Sequence, residues 1–223
     1  MVRIAYLVGD YLTRNTLLWY AMRTLRYYIV IMKFPVTNDD RLRCIAIETA
    51  RMSFPSSMSR GKKPVVGAGT KKLVEDYFEK TFPLKQAFSL KDAFSYNKWH
   101  YCVTDQLSHK ISTHIKSNNV ARSVAAKFIN TFMHQLAKYP DAHHLLPFLH
   151  LPLDSRVFGR LKRLNSAALK KYTKLIKSSP YSLNYRHHIR LQKQLILLIS
   201  ELNNRPNAEF SLQYRIELNW LWL

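Results

Sequence analysis

The chain has 223 residues, with 35 Lys or Arg against 14 Asp or Glu, a formal net charge of +21 and a pI near 10.1. A hydrophobic content of 47% suffices for a buried core and excludes a disordered basic tail, while only 5 glycines speak against a Rossmann or barrel enzyme and for helices. So large an excess of one charge attracts polyanions: nucleic acid first, then an anionic membrane, then an acidic protein.

Met1 to Phe34 is apolar and basic, with Asp10 its only acid. Its composition resembles a transit peptide. It is no transmembrane span: Arg14, Arg23 and Arg26 interrupt it, and Leu17–Met22 and Tyr27–Met32 hold six apolar residues each, where a bilayer needs about 20. We read it as a core helix from about Asp10 to Met32, with a mitochondrial presequence as the alternative. Leu12, Leu17, Trp19, Tyr20, Leu25, Tyr28 and Ile29 give it a wide apolar face, and Pro35 stops it. Asn38 caps a second helix to about Phe54.

Residues 55–69 collect Pro, Gly and Ser around Arg60, Lys62 and Lys63. This is a loop, the main internal boundary, and a candidate nuclear import signal. Thr70 caps a helix to about Phe82, whose Glu75, Asp76 and Glu79 are interspersed with Lys71, Lys72 and Lys80 as surface pairs. Ser89 caps a further helical region to about Ser117. There Trp99, Val103, Leu107, Ile111 and Ile115 recur every four residues, the stripe of a buried face. Asn118 and Asn119 break it. The next helix turns Val124, Phe128, Phe132 and Leu136 inward and ends before Pro140. Asp141–Leu153 is a turn or short helix.

Asp154 caps the most distinctive stretch. Ser155–Ser200 carries eleven Lys or Arg and no acid, a one-signed run that needs a partner of the other sign. It divides at Ser178–Pro180. On a 3.6-residue wheel Arg156, Arg160, Arg163, Lys170, Lys174 and Lys177 fall within about a 100° arc. Val157, Leu161, Leu164, Ala168, Tyr172 and Leu175 fall beside it. In the second half Ser182 caps a helix to about Asn204, with Arg186, Arg190 and Lys193 on one face and Leu191, Leu195, Leu198 and Leu202 opposite. These nine cations, with Arg60, Lys62 and Lys63, are the candidate phosphate contacts.

The last stretch alternates Phe210, Leu212, Tyr214, Ile216, Leu218, Trp220 and Trp222 with polar residues, which predicts a half-buried strand. No second strong strand is visible. The strand therefore pairs with a partner chain, a copy of itself or absent sequence, and we favour the last.

No central enzyme motif is present: no phosphate-binding Gly loop, no G-x-S-x-G and no H-E-x-x-H. The nine histidines show no metal-ligand spacing. His143–His144 and His187–His188 are adjacent, so each pair diverges on a helix, and His109 and His114 are five apart. Cys44 and Cys102 are distant and outside any CxxC, which fits a reducing compartment without structural zinc. His187-His188-Ile189-Arg190 resembles the H-x-x-R box of tyrosine recombinases, but no tyrosine follows Trp220 to act as nucleophile, and Tyr214 precedes it. Tyr96, Trp99, Tyr101, Tyr139, Tyr172, Tyr181 and Tyr185 lie near cations, where rings serve either as core or as stacking platforms for unpaired bases.

The order of segments carries a family resemblance over about residues 10–140. An apolar helix is followed by Lys33-Phe34-Pro35-Val36, a short helix and a basic loop. Then come a helix ending Asp76-Tyr77-Phe78-Glu79-Lys80-Thr81-Phe82 and another with Thr104, Lys110, Thr113, His114 and Asn118. This resembles the N-terminal helical recognition region of the Fanzor group, eukaryotic and chiefly fungal TnpB-like RNA-guided nucleases encoded by transposons. The resemblance implies a lobe that grips a guide RNA and its heteroduplex by shape and phosphate contacts. The family's catalytic acids and zinc ribbon have no counterpart here, which implies a fragment or degenerate copy without nuclease activity.

The expectation is thus a mostly α protein, a multi-helix bundle with one C-terminal strand-like segment lacking an evident partner. Its parts are a helical pair (1–54), a basic loop (55–69), a helical nucleic-acid-binding domain (70–204) and the strand-like segment (205–223). It binds RNA or DNA through phosphates, needs no cofactor or metal, has no catalytic residue, and has a missing domain or protein partner pairing with 210–222. Import through the basic loop places it in the nucleus. The alternatives are a mitochondrial helical protein of a ribonucleoprotein or membrane complex, and a recombinase-like enzyme.

Overall fold

The described residues are mostly helical and contain no strand. In the computed structural model they are 66–115, 117–137, 140–164, 166–172, 183–205 and 211–220, with Cys44 and Ile47 as isolated helical positions. Apart from those two positions, the two expected N-terminal helices lie outside the described residues, as do Arg60, Lys62, Lys63, Tyr139, Lys174, Lys177 and Tyr181. All the helices from Thr70 onward belong to one compact unit, Ile45–Leu223.

Helix α1 (Thr70–Asp76) starts one residue earlier than a Thr70 cap requires. Gly69 is the cap, at φ 85°, and the Thr70 hydroxyl donates to the Gly67 carbonyl at 2.8 Å. This loop is held against His114: the Gly67 N–H donates to the His114 carbonyl at 2.9 Å, and His114 Nδ1 lies 2.7 Å from the Ala68 carbonyl oxygen. After α1 the chain widens into a π turn, Tyr77–Thr81. It brings Phe78 onto Phe132, stacked at 4.2 Å, while Phe82 meets Trp99 edge-on at 5.6 Å. The Tyr77 hydroxyl donates to the Val103 carbonyl at 3.2 Å.

A short helix, α2 (Leu84–Phe88), ends at Ser89, so Ser89 closes that helix and does not cap α3 (Ala93–Ile111). Asp92 is the α3 cap: its carboxylate accepts from the Phe94 and Ser95 N–H groups at 2.8 and 2.9 Å. The carboxylate is the better match to the positive helix end. A 3-10 turn, Ser112–His114, succeeds α3. Helix α4 (Asn118–Leu136) packs against α3. The Trp99–Ile115 stripe and the Val124–Leu136 stripe are both buried, as their four-residue spacing predicts.

Past a 3-10 turn at Pro140–Leu145, Asp154 caps α5 (Ser155–Arg163) through the Val157 N–H at 2.8 Å, as the sequence predicts. Helix α5 stops at Leu164, well short of Lys177, and the chain resumes as a 3-10 turn, Ala167–Tyr172. The break has a visible cause. Glu201 accepts from the Ser166 hydroxyl at 2.7 Å and the Ala168 N–H at 3.1 Å, which supplies these groups with a partner outside any α-helix. Helix α6 (Tyr185–Asn203) is capped by Asn184, not Ser182. Its fully buried Leu191, Leu195 and Leu198 form a second core with Leu151, Val157, Phe158, Leu161 and Leu183. Each such leucine contributes about 1.5–3 kcal/mol on burial.

The expected C-terminal strand is not formed. Residues 211–213 are irregular, a turn comes next, and Glu217–Trp220 is a short helix, α7. A lone strand has no ladder to satisfy its backbone, and side chains do so here instead. Asn203 both donates to the Leu212 carbonyl and accepts from its N–H, each at 2.8 Å. The Glu217 carboxylate accepts from the Gln213 and Tyr214 N–H groups at 2.6 and 2.8 Å. Leu212, Ile216 and Leu218 are buried all the same, so the apolar positions are informative while their period misleads.

Candidate functional site

The nine candidate cations do not form one stripe. Arg156, Arg160 and Arg163 lie on α5, but the break at Leu164 puts Lys170 on the 3-10 turn beyond, so a wheel drawn from Arg156 to Lys177 joins separate elements. Lys162, Arg163 and Lys170 are exposed, and Arg160 is half-buried. On α6 the expected face is real. Arg186, Arg190 and Lys193 are exposed, on the side away from Leu191, Leu195 and Leu198. Among the described residues no carboxylate pairs with these three, whereas the cations of α1 and the π turn after it are matched: Lys71 to Glu75 at 3.8 Å, and Lys72 and Lys80 to Asp76 at 3.1 Å each. The Lys80 and Lys72 ammonium groups hold the Asp76 carboxyl below its usual range.

Beside this face runs a shallow open groove lined by Ala167, Ala168, Lys170, Gln194 and Leu197. Leu197 is 54% exposed, one helical turn from Lys193, so the groove combines an apolar patch with a cationic rim. Lys170 thus joins the α6 surface through packing of the 3-10 turn on α6, not through a shared helix.

The rings near the cations divide. Trp99 and Tyr96 are core. Tyr185 is half-buried and tied inward, its hydroxyl 2.8 Å from His100 Nδ1. Among those of these rings whose burial is described, Tyr101 is the one at the surface, 45% exposed, with the Arg122 guanidinium 5.2 Å from its centroid and Tyr185 edge-on at 5.0 Å. Arg122 in turn pairs with Asp105.

Behind α6 lies a polar cluster that local spacing gave no sign of. His100 on α3, His150 in the segment before α5 and His188 on α6 are all buried, with ring centroids 4.6 Å apart for His100–His150, 5.4 Å for His150–His188 and 5.8 Å for His100–His188. His100 Nε2 is 2.7 Å from Asn130 Oδ1, and His150 Nε2 is 2.9 Å from Asn97 Oδ1. Burial pushes His100 down to about 4 and His150 and His188 well below the ordinary histidine value. The Arg215 guanidinium adds to the shift in all three. Arg215 is itself buried, donates to the Phe148 carbonyl at 2.5 Å and is pushed down to about 10 by desolvation. Gln192 closes the cluster on the α6 side, accepting from the Leu151 N–H at 2.9 Å and donating to its carbonyl at 2.8 Å.

His188 is thus a core residue, while Arg190 two positions on is exposed. His187 and Arg190, the two fixed positions of the recombinase-like box, both lie outside the buried cluster. No helix of the described residues is long and apolar enough to cross a membrane. Compared with known proteins, the chain matches no family model, no curated protein and no solved structure.

Proposed function

We propose that this protein is a basic helical module that binds RNA or DNA through the phosphate backbone, with little reading of base sequence. The observation that carries the reading is the α6 face. Arg186, Arg190 and Lys193 stand toward solvent with no described carboxylate beside them, on a helix anchored by buried leucines. A helix anchored in this way keeps its cations at fixed spacing, and fixed spacing suits a polyanion with a regular charge repeat. Lys170 and the exposed Leu197 extend the surface across the groove, and Tyr101 offers a ring for an unpaired base. The narrower reading, a recognition region derived from a Fanzor-like nuclease and acting in the nucleus, rests on the segment order alone.

The test is fluorescence anisotropy with labelled single-stranded RNA, single-stranded DNA and duplex DNA against the full chain. Charge reversal at Arg186, Arg190 and Lys193 should abolish binding to the nucleic acids that wild-type protein holds. Affinity unchanged by the reversal, or partition onto anionic vesicles with no nucleic-acid binding, would refute the proposal.

A further inference from the structure

The histidine cluster is more than a hydrogen-bonded core. One nitrogen from each of His100, His150 and His188 lies within 4.8 Å of the other two. The surrounding amides set which nitrogens carry protons. Asn130 Oδ1 accepts a hydrogen bond from His100 Nε2–H, and the same amide presents its nitrogen to His188 Nε2 at 3.5 Å. Asn97 Oδ1 accepts a hydrogen bond from His150 Nε2–H. Three lone pairs are left, on His100 Nδ1, His150 Nδ1 and His188 Nε2. The first accepts from the Tyr185 hydroxyl at 2.8 Å and the third has only the long contact to Asn130, while His150 Nδ1 is buried with no hydrogen-bond partner. Polar contacts alone account for Asn97, Asn130 and Tyr185. They do not account for a buried orphan acceptor within a cluster of three imidazoles, an arrangement that costs free energy when nothing binds it.

We propose that His100, His150 and His188 bind one divalent transition-metal ion of the zinc class. Metal–nitrogen bonds of about 2.0–2.1 Å in a tetrahedral site put imidazole centroids roughly 5 Å apart, close to the spacings already present. The nitrogens must close to about 3.4 Å from one another, and the His100 and His188 rings, now nearly parallel at 7°, must turn for their in-plane lone pairs to converge. Metal-bound histidine ordinarily donates its second ring N–H to a fixed acceptor, the part Asn130 and Asn97 play for His100 and His150. The donor chemistry selects the metal. Three imidazoles without carboxylate suit zinc, cobalt, nickel or copper, and exclude calcium and magnesium. The Arg215 charge opposes a cation here, so it favours an anionic fourth ligand, hydroxide or the Tyr185 phenolate. Bound in this way, the ion would tie α3, the segment before α5 and α6 together, behind the face that carries Arg186, Arg190 and Lys193. The site is independent of what that face binds.

The full chain, stripped with a chelator and shown folded by circular dichroism, is titrated with Co²⁺ and followed by visible absorption. One equivalent should give saturating ligand-field bands, bleached by one equivalent of Zn²⁺, and zinc should raise the melting temperature. X-ray absorption on the wild-type zinc complex should show three imidazole nitrogens at about 2.0 Å. His150→Phe should lose the cobalt bands, while His143→Ala, at an exposed histidine, should keep them. A folded wild-type chain with no stoichiometric bands, or a zinc shell with fewer than three imidazoles, overturns the proposal. Bands retained in folded His150→Phe do the same, and if that variant fails to fold the wild-type X-ray absorption decides.

Discussion

Gln192→Leu tests how the cationic helix is held in register. Gln192 is 1% exposed, and its side-chain amide satisfies both backbone groups of Leu151, which is fully buried. Leucine is close in volume and keeps the apolar contacts, but leaves the Leu151 N–H and carbonyl without a partner. Each buried orphan costs about 1–3 kcal/mol, so the pair costs roughly 2–6 kcal/mol. At about 2–4 °C per kcal/mol for a unit of this size, melting should fall by roughly 4–24 °C. Differential scanning calorimetry and urea unfolding measure it, with exposed Gln86→Ala as a control expected within about 0.5 kcal/mol of wild type. A Gln192→Leu protein melting within about 1 °C of wild type would show that the clamp does not form and that α6 is registered by its leucines alone.

Three other perturbations test the packing. Gly69→Ala places a side chain at φ 85° with its Cβ 3.2 Å from the His114 ring, and should destabilise by about 1–2 kcal/mol in the same unfolding assay; a neutral result would contradict the docked loop. Asp154→Ala removes the α5 cap and the carboxylate 3.8 Å from buried Lys127, so it should cost more than the ~1 kcal/mol of a cap alone, whereas Asp154→Asn should recover the cap portion. In chelated protein the buried histidines set an acid limit. Their folded values lie below the ~6.5 of an unfolded chain, with His100 near 4, so the unfolded state binds more protons between these values. Stability is therefore full above about pH 6.5 and falls on acidification at up to ~1.4 kcal/mol per pH unit for each histidine. Urea midpoints that stay level from pH 7 to pH 5 would contradict three neutral buried imidazoles.

Much of the helical fold is legible in the sequence because helix faces repeat locally. The Trp99–Ile115 and Val124–Leu136 stripes and the leucines of α6 need only a 3.6-residue period. Caps are less legible, since Ser89 and Asp92, or Ser182 and Asn184, are near-equal candidates and tertiary contacts choose between them. Two expectations failed for the same reason, that side chains from elsewhere supplied the backbone's partners. Glu201 holds Ser166 and Ala168, beyond the end of α5, and Asn203 and Glu217 hold the C-terminal segment out of a strand. The histidine cluster is invisible locally because its members come from three elements far apart in the chain. The adjacent pairs do not act as pairs: His188 is buried between half-buried neighbours on α6, while His143 and His144 are both exposed.

The most direct test of nucleic-acid binding is the salt dependence of affinity. Each neutralised phosphate contributes about −0.9 to the slope of log K against log salt on duplex, and about −0.7 on single strands. Wild-type protein should show a steep slope, and the Arg186→Gln, Arg190→Gln, Lys193→Gln triple variant one shallower by roughly 2–3. Equal slopes for a folded triple variant and wild type would mean that α6 does not touch the phosphates, and the account of its cationic face would be wrong.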